Sequence, residues 1–336
     1  MTRRCALRLV FQLCLCIAWA GAAIAEGPGQ PRQVIFIRYP IAPAHFAAVI
    51  REFKTAMTLR GFIEDRDIVY TDILTTTADQ RAIPEVREAV LRHKDRADMF
   101  ITCGWVSMPA REILKNTDVP QLFVPVLESV ALEMLPSLTA PPGTNLSGIY
   151  LMYPPEKILR IARLIMPESR RYAYVHDSRI PADRVFRTAY EELPETGRHG
   201  FTLFSPDLAD GVNAVITQLR AKKIDAWGGI VGSFQQRQPL QASEVPQITA
   251  LTLDIDRESI SHHVDDDIVA GLFNPFGPCG AQAAAMTAAI FTGQTTITQT
   301  RPQPAEQVSF INLKAARKRH LAISFDALEA VDVLVK

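Results

Sequence analysis

Along most of the chain, short runs of β-branched and aromatic residues alternate with stretches whose apolar residues recur at helical spacing. The alternation is written twice. In the first series Val34-Ile35-Phe36-Ile37 is followed by Phe46, Val49, Ile50, Phe53 and Met57 on one helical face, and Gly61 stands where a left-handed cap would end that helix. Ile68-Val69-Tyr70, a helix through Ile83, Val86 and Val90, Met99-Phe100-Ile101-Thr102, a short helix about Ala110 to Leu114 and Leu122-Phe123-Val124 continue the series. Strand starts near 34, 68, 98 and 121 predict βα units on a parallel sheet. The pattern pauses at Pro141-Pro142-Gly143-Thr144-Asn145 and resumes with a helix carrying Ile158, Ile161 and Ile165. The strand Tyr172-Ala173-Tyr174-Val175 and others near 202, 226 and 247 follow, with helices between them. Continuously apolar strands need helices on both faces, so the expected class is α/β with two doubly wound parallel-sheet lobes.

The tail departs from one-then-two order. Ile268 to Leu272 reads as a strand, Ala281 to Phe291 as an alanine-rich buried helix, and Val308 to Ile311 as a final strand before a basic segment. An extra strand-helix-strand after two complete lobes implies that the chain crosses back between them. Several crossings make a hinge that lets lobes close on a ligand. The expected lobes are residues 33–145 plus 275–305 and residues 146–274 plus 306–336.

The first 25 residues read as a secretory signal peptide. Arg3, Arg4 and Arg8 precede an apolar run from Leu9 to Ala20, too short for a permanent membrane anchor, and Ala23-Ile24-Ala25 supplies the small residues of a cleavage site. The remainder is expected to be an exported, periplasmic protein. Basic and acidic residues number 36 each, and loss of the leader's arginines tips the balance slightly acidic. That gives no electrostatic reason to expect nucleic acid or a membrane surface as partner. Only Cys103 and Cys279 follow the leader, and they leave two readings open, a disulfide or two small buried hydrophobes.

Several ordered segments resemble the ABC-transporter substrate-binding family of type I periplasmic binding proteins that includes tryptophan and tyrosine receptors. Phe310-Ile311-Asn312-Leu313-Lys314-Ala315-Ala316 is similar to the family's strand and I-N-L-K-A-A segment. Thr144-Asn145-Leu146-Ser147-Gly148 resembles its T-N-V-T-G crossover, and Pro154-Pro155-Glu156-Lys157 its P-P-x-E-K helix start. Asp98 to Gly104, Val119 to Phe123, and Gly280 with Gln282-Ala283 match further segments in order. The resemblance implies a cleft that captures a small aromatic or amino-acid-like solute, and an ABC permease on a separate chain as partner. Its polar clamp is rewritten here. Trp105 stands where the receptors carry Thr, and Pro109 replaces a nearby Gln. Glu128 replaces an Asp, Tyr150 and Leu151 a polar pair, and Asp177 an Asn. Two more polar positions fall near Gly232 and Leu251, and the Asp before the late helix is replaced in Asn274-Pro275-Phe276.

Ligands of open α/β sheets bind beyond the carboxyl ends of strands. That geometry nominates Tyr39 after the first strand, Trp105 and Ser107 after the third, and Glu128 after the fourth. His176, Asp177 and Ser178 follow a strand of the other lobe. Trp105 beside Gly104 offers a flat face to an aromatic or cationic group. Ser107 is placed to cap its helix, while Glu128 or Asp177 suits an ammonium group. Tyr39, Tyr150 and Tyr153 offer hydroxyls or stacking surfaces. The candidate ligand set is therefore Tyr39, Trp105, Ser107, Glu128, Tyr150, Asp177 and Asn274.

His262-His263 with Asp265-Asp266-Asp267 lacks zinc-ligand spacing and reads as a solvated turn, and Arg317 to His320 reads as a solvated helix face. No G-x-S-x-G, G-x-x-x-x-G-K or G-x-G-x-x-G segment stands where catalysis or nucleotide binding would need it. The expected function is solute capture for an ABC-type importer, without catalysis, metal or cofactor. The same fold and cleft would serve a ligand-sensing module of a membrane receptor such as a sensor kinase, or a cleft enzyme.

Overall fold

The computed structural model describes residues 30–41 and 44–336. The segment read as a signal peptide lies outside them.

The first sheet is built from β1 (Arg32–Arg38), β2 (Ile68–Leu74), β3 (Met99–Thr102), β4 (Gln121–Leu127), β5 (Leu146–Leu151) and the short β11 (Gln303–Pro304), in the order β11-β5-β4-β3-β1-β2. Its pairings are all parallel. The helices α1 (Ala47–Leu59), α2 (Ile83–His93), α3 (Ser107–Leu114) and α4 (Glu128–Met134) connect the strands. Val34 to Ile37 is buried throughout, as a strand covered on both faces must be.

The second sheet holds β6 (Arg171–Tyr174), β7 (Thr202–Phe204), β8 (Ala226–Gly228), β9 (Gln247–Leu251), β10 (Ile268–Phe273), β12 (Val308–Asn312) and β13 (Val333–Val335), ordered β13-β12-β10-β9-β8-β6-β7. Only β12 against β10 is antiparallel. Its helices are α5 (Pro155–Ile165), α6 (Pro181–Glu191), α7 (Val212–Ala221), the single turns α8 (Gly232–Gln235) and α9 (Arg237–Leu240), and α11 (Leu313–Lys318) and α12 (Phe325–Glu329). Between β10 and β11 runs α10 (Phe276–Phe291), which packs on α1 of the first lobe.

The chain therefore passes between the lobes three times, after β5, after β10 and after β11. Two details differ from the sequence reading. Residues 146–151, expected to open the second lobe, pair with β4 in the first sheet. The last strand is β13 rather than β12, because Val333 to Val335 adds in parallel to β12 at the sheet edge.

The contact of α1 with α10 depends on Gly280. A Cβ there would lie 2.1 Å from the Val49 carbonyl oxygen, so any side chain forces the helices apart. Gly280→Ala is expected to cost about 2 kcal/mol of stability, within the usual range for overpacking. A urea denaturation midpoint equal to wild type would show that the helices separate freely.

Cys103 and Cys279 are free and fully buried, which answers the question their number left open. Burial pushes both thiols up. The acidic run is also more engaged than a solvated turn: Asp265 pairs with Arg237, Asp266 with Lys314, and Asp267 with Lys318 and Arg319. The basic segment is thereby tied down rather than being a free helix face.

Candidate functional site

The carboxyl ends of the two sheets meet across a cleft. On the first-lobe side, Arg38 forks onto Asp72 through Nε and Nη2, each at 2.8 Å, and donates to the His45 carbonyl at 2.7 Å. That fixes the segment leading to Phe46, whose ring packs at 5.2 Å from Tyr39 and 5.4 Å from Phe276. Tyr39 in turn lies 5.8 Å from Trp105. Gly104 makes this possible twice over. Its φ is +65°, and a Cβ would meet the Tyr39 ring at 2.5 Å. Trp105 is half-buried in the short turn after β3, and its Nε1 is buried without an acceptor.

On the second-lobe side, the loop after β9 reaches across with two carboxylates. Asp254 Oδ2 accepts the Phe46 N–H at 2.6 Å, and Asp256 Oδ1 accepts the Gly277 N–H at 3.3 Å. Asp254 is 4 % exposed, and its Oδ1 is buried with no partner. Burial pushes its carboxyl up to about 6; the Phe46 N–H pulls the other way, and the Asp256 charge adds to the rise. At the far side of the cleft, α4 of the first lobe packs against α6 of the second.

Asp183, in the first turn of α6, is wholly buried. Its carboxylate collects the N–H groups of Asp177 (2.9 Å), Gly232 (2.9 Å) and Val231 (3.0 Å). Burial pushes the Asp183 carboxyl up while those three donors oppose the rise. One side chain thus ties the β6–α6 loop to the β8–α8 loop and fills the amide cluster between them.

The residues expected from sequence divide accordingly. Tyr39 and Trp105 come together in the ring cluster. Glu128 begins α4, half-buried, and burial pushes its carboxyl up; its charge in turn raises the phenol of the buried Tyr150, after the larger effect of burial. Asp177 is engaged by its own loop: Oδ1 accepts from the Arg179 backbone and Nε, and Oδ2 from Nη2 at 2.6 Å. Asn274 directly follows β10, donating from Nδ2 to the Glu306 carbonyl at 2.6 Å and leaving Oδ1 buried without a partner among the described residues. Ser107 is a correction. It is fully buried and its hydroxyl donates back to the Thr102 carbonyl at 3.1 Å, so it neither caps α3 nor faces a ligand. Gln121 locks the same corner by donating to Thr102 Oγ1 and the Ser107 carbonyl, both at 3.0 Å.

Asp183 and Asp254 were not singled out in the sequence, and Phe46 and Phe276 were read there as an apolar helix position and part of a replaced clamp segment. Asp183 alone carried a signal, as an acid in the first turn of a helix that begins with Pro181. Leu253-Asp254-Ile255-Asp256 looks like ordinary alternation at a surface. Its burial arises only because a second lobe lies against it.

Two largely parallel α/β sheets, crossed three times by the chain and facing each other by their carboxyl ends, are the type I periplasmic binding protein fold. No model of a known protein family matches the chain, and no curated protein sequence matches it. Solved structures do. An ABC domain in complex with L-Trp from Streptococcus pneumoniae is similar over 91 % of this chain and 100 % of its own, at 12 % identity and a TM-score of 0.71. A ligand-free, open substrate-binding protein with adhesive properties from Clostridium difficile is similar over 91 % and 99 %, at 16 % identity and a TM-score of 0.71. A conserved domain protein from Vibrio cholerae is similar over 91 % and 100 %, at 15 % identity and a TM-score of 0.69. At these identities the likeness is one of fold.

Proposed function

We propose that the chain is the exported solute-binding component of an ABC-type importer. It captures a small molecule between its lobes by hinge closure and presents the closed form to a permease on a separate chain. The observation that carries this reading is the loop after β9, which grips the Phe46 and Gly277 amides of the opposite lobe. Bonds of this kind across two lobes would form on closure and break on opening, which supports the reading of a closing cleft. The leader-like start of the sequence supports export to the periplasm. Among the described residues no helix is long and apolar enough to cross a membrane, which is consistent with a permease supplied by another chain. The ring cluster at the cleft supports an aromatic or otherwise π-binding solute. The role asks for neither catalysis nor a cofactor.

The test is a thermal-shift screen joined to small-angle scattering. A solute at about a hundred times its Kd adds about 2.7 kcal/mol of stability and reduces the radius of gyration as the lobes close. Trp105→Ala is expected to weaken that solute at least tenfold, about 1.4 kcal/mol, with the fold intact. Turnover of the compound would favour an enzyme instead. Unchanged affinity in the variant would remove Trp105 from the site.

A further inference from the structure

Asp254 is a buried carboxylate left half-satisfied at the junction of the lobes. An ionised carboxylate offers about four acceptor positions, and Asp254 uses one, for the Phe46 N–H. Its Oδ1 has no partner despite burial. A buried charge in that state costs stability unless a donor, best a charged one, completes it.

Among the described residues, the nearby charged groups do not complete it. Arg38 is forked onto Asp72, Arg51 is paired with Glu52 at 3.0 Å, and His45 Nδ1 lies 2.8 Å from the Ile41 carbonyl. Asp256, on the same loop, adds negative charge and is engaged by the Gly277 amide. The buried Cys103 and Cys279 stay neutral thiols.

Next to this carboxylate stand the rings. Phe46, whose amide Asp254 holds, packs on Tyr39 and Phe276, and Tyr39 on Trp105. Phe46 and Phe276 are buried and stacked on each other, while Tyr39 and Trp105 keep part of their surface open. Open aromatic surface in the neighbourhood of an uncompensated carboxylate suits an organic cation. A separate groove of about 470 Å³ where the lobes meet is lined by Asp256 of the same loop and by Glu258, with Glu52 paired to Arg51 and Glu306 to Arg257.

The amides elsewhere on the second lobe argue against a carboxylate on the solute. The backbone amides of Asp177, Val231 and Gly232, a natural seat for an anion, are already filled by Asp183.

We propose that Asp254 is the anchoring carboxylate of the cleft, and that the solute is an organic cation, a protonated or quaternary amine without a carboxylate. This inference rests on the solute-binding reading and names the class of solute.

The test is titration calorimetry on the purified protein with choline, tyramine, tryptamine and putrescine. L-tyrosine and L-tryptophan serve as zwitterionic counterparts, and 3,3-dimethyl-1-butanol and 4-ethylphenol as uncharged shapes. At least one amine is expected to bind saturably, at least tenfold tighter than its amino acid or neutral counterpart. Asp254→Asn is expected to lower its affinity at least tenfold. The neutral counterparts read the role of charge on the wild-type protein, so the result does not hang on the variant's folding. Binding of an amino acid or neutral compound as tightly as its amine overturns this inference and leaves the solute-binding reading standing. Silence of all four amines also overturns it. If a broad screen of other solutes is silent too, and the lobes never move in scattering, the solute-binding reading falls with it.

Discussion

Asp183→Ala is expected to lower the free energy of unfolding by about 3–5 kcal/mol, since each buried donor left without a partner costs roughly 1–3 kcal/mol. The variant orphans the amides of Asp177, Val231 and Gly232 together. Part of the loss is offset because a buried carboxylate no longer has to be desolvated, which is why the figure stays below the sum. Asp183→Asn keeps one acceptor oxygen and is expected to lose less. The damage is also local in its consequences. With the tie between the β6–α6 and β8–α8 loops gone, the wall of the cleft loosens, and solute affinity falls alongside stability. Urea denaturation of both variants reads the first effect and titration with the bound solute the second. A loss below about 1 kcal/mol for Asp183→Ala would mean that water replaces the carboxylate at all three amides.

Asp254→Asn is expected to act in the opposite direction on the empty protein, raising its stability at pH 7 by about 3 kcal/mol. The sign follows from proton linkage. The Asp254 carboxyl stands at about 6 in the folded chain, against about 3.9 for an unperturbed aspartate. The folded state therefore binds more protons than the unfolded state between about pH 4 and pH 6. Stability falls as pH rises through that window, and the full penalty is present above it. Two pH units correspond to about 3 kcal/mol, and asparagine removes the penalty because it carries no charge to bury. Its amide oxygen still accepts the Phe46 N–H, so the interlobe bond survives. The measurement is the difference in unfolding free energy between wild type and variant from pH 7 down to pH 4. Carboxyls held low elsewhere, such as Asp79 beside Arg81, are common to both proteins and cancel in it. The stabilisation should shrink toward zero as pH falls below about 5. A difference that does not change with pH would mean that Asp254 is solvated and ionised like a surface aspartate.

The two carboxylates explain each other. Both are buried beyond the carboxyl ends of the second sheet, Asp183 in the first turn of α6 and Asp254 in the loop after β9, but Asp183 receives three N–H groups and Asp254 one. The first is matched by the chain itself and holds two loops together. The second is left with an unpartnered oxygen among the described residues, which is what the proposed anchoring role requires.

The succession of strands and helices, their doubling and the return of the chain in its tail were all legible in the residues. These are properties of apolar periodicity, which depends only on near neighbours in the chain. The positions of Tyr39 and Trp105 just after strands were legible for the same reason, while their meeting at 5.8 Å was not. Ser107 was misread because a serine at a helix start either caps or turns inward. The buried corner formed by Thr102 and Gln121 decided it. Residues 146–151 were placed in the wrong lobe because a strand names its partner only through hydrogen bonds to β4.

The amino-acid sequence by itself thus determined the class of fold, the two-lobe plan and the strand ends at which a ligand would be met. The tertiary structure alone decided which of those ends come together. It set Asp254 against the Phe46 amide across 208 residues of chain, filled the second lobe's amides with Asp183, and closed Phe46, Phe276 and Tyr39 into one cluster. The reason is physical. Periodicity records which face of an element is apolar, whereas burial of a charge and the meeting of rings depend on what a distant part of the chain brings against that face.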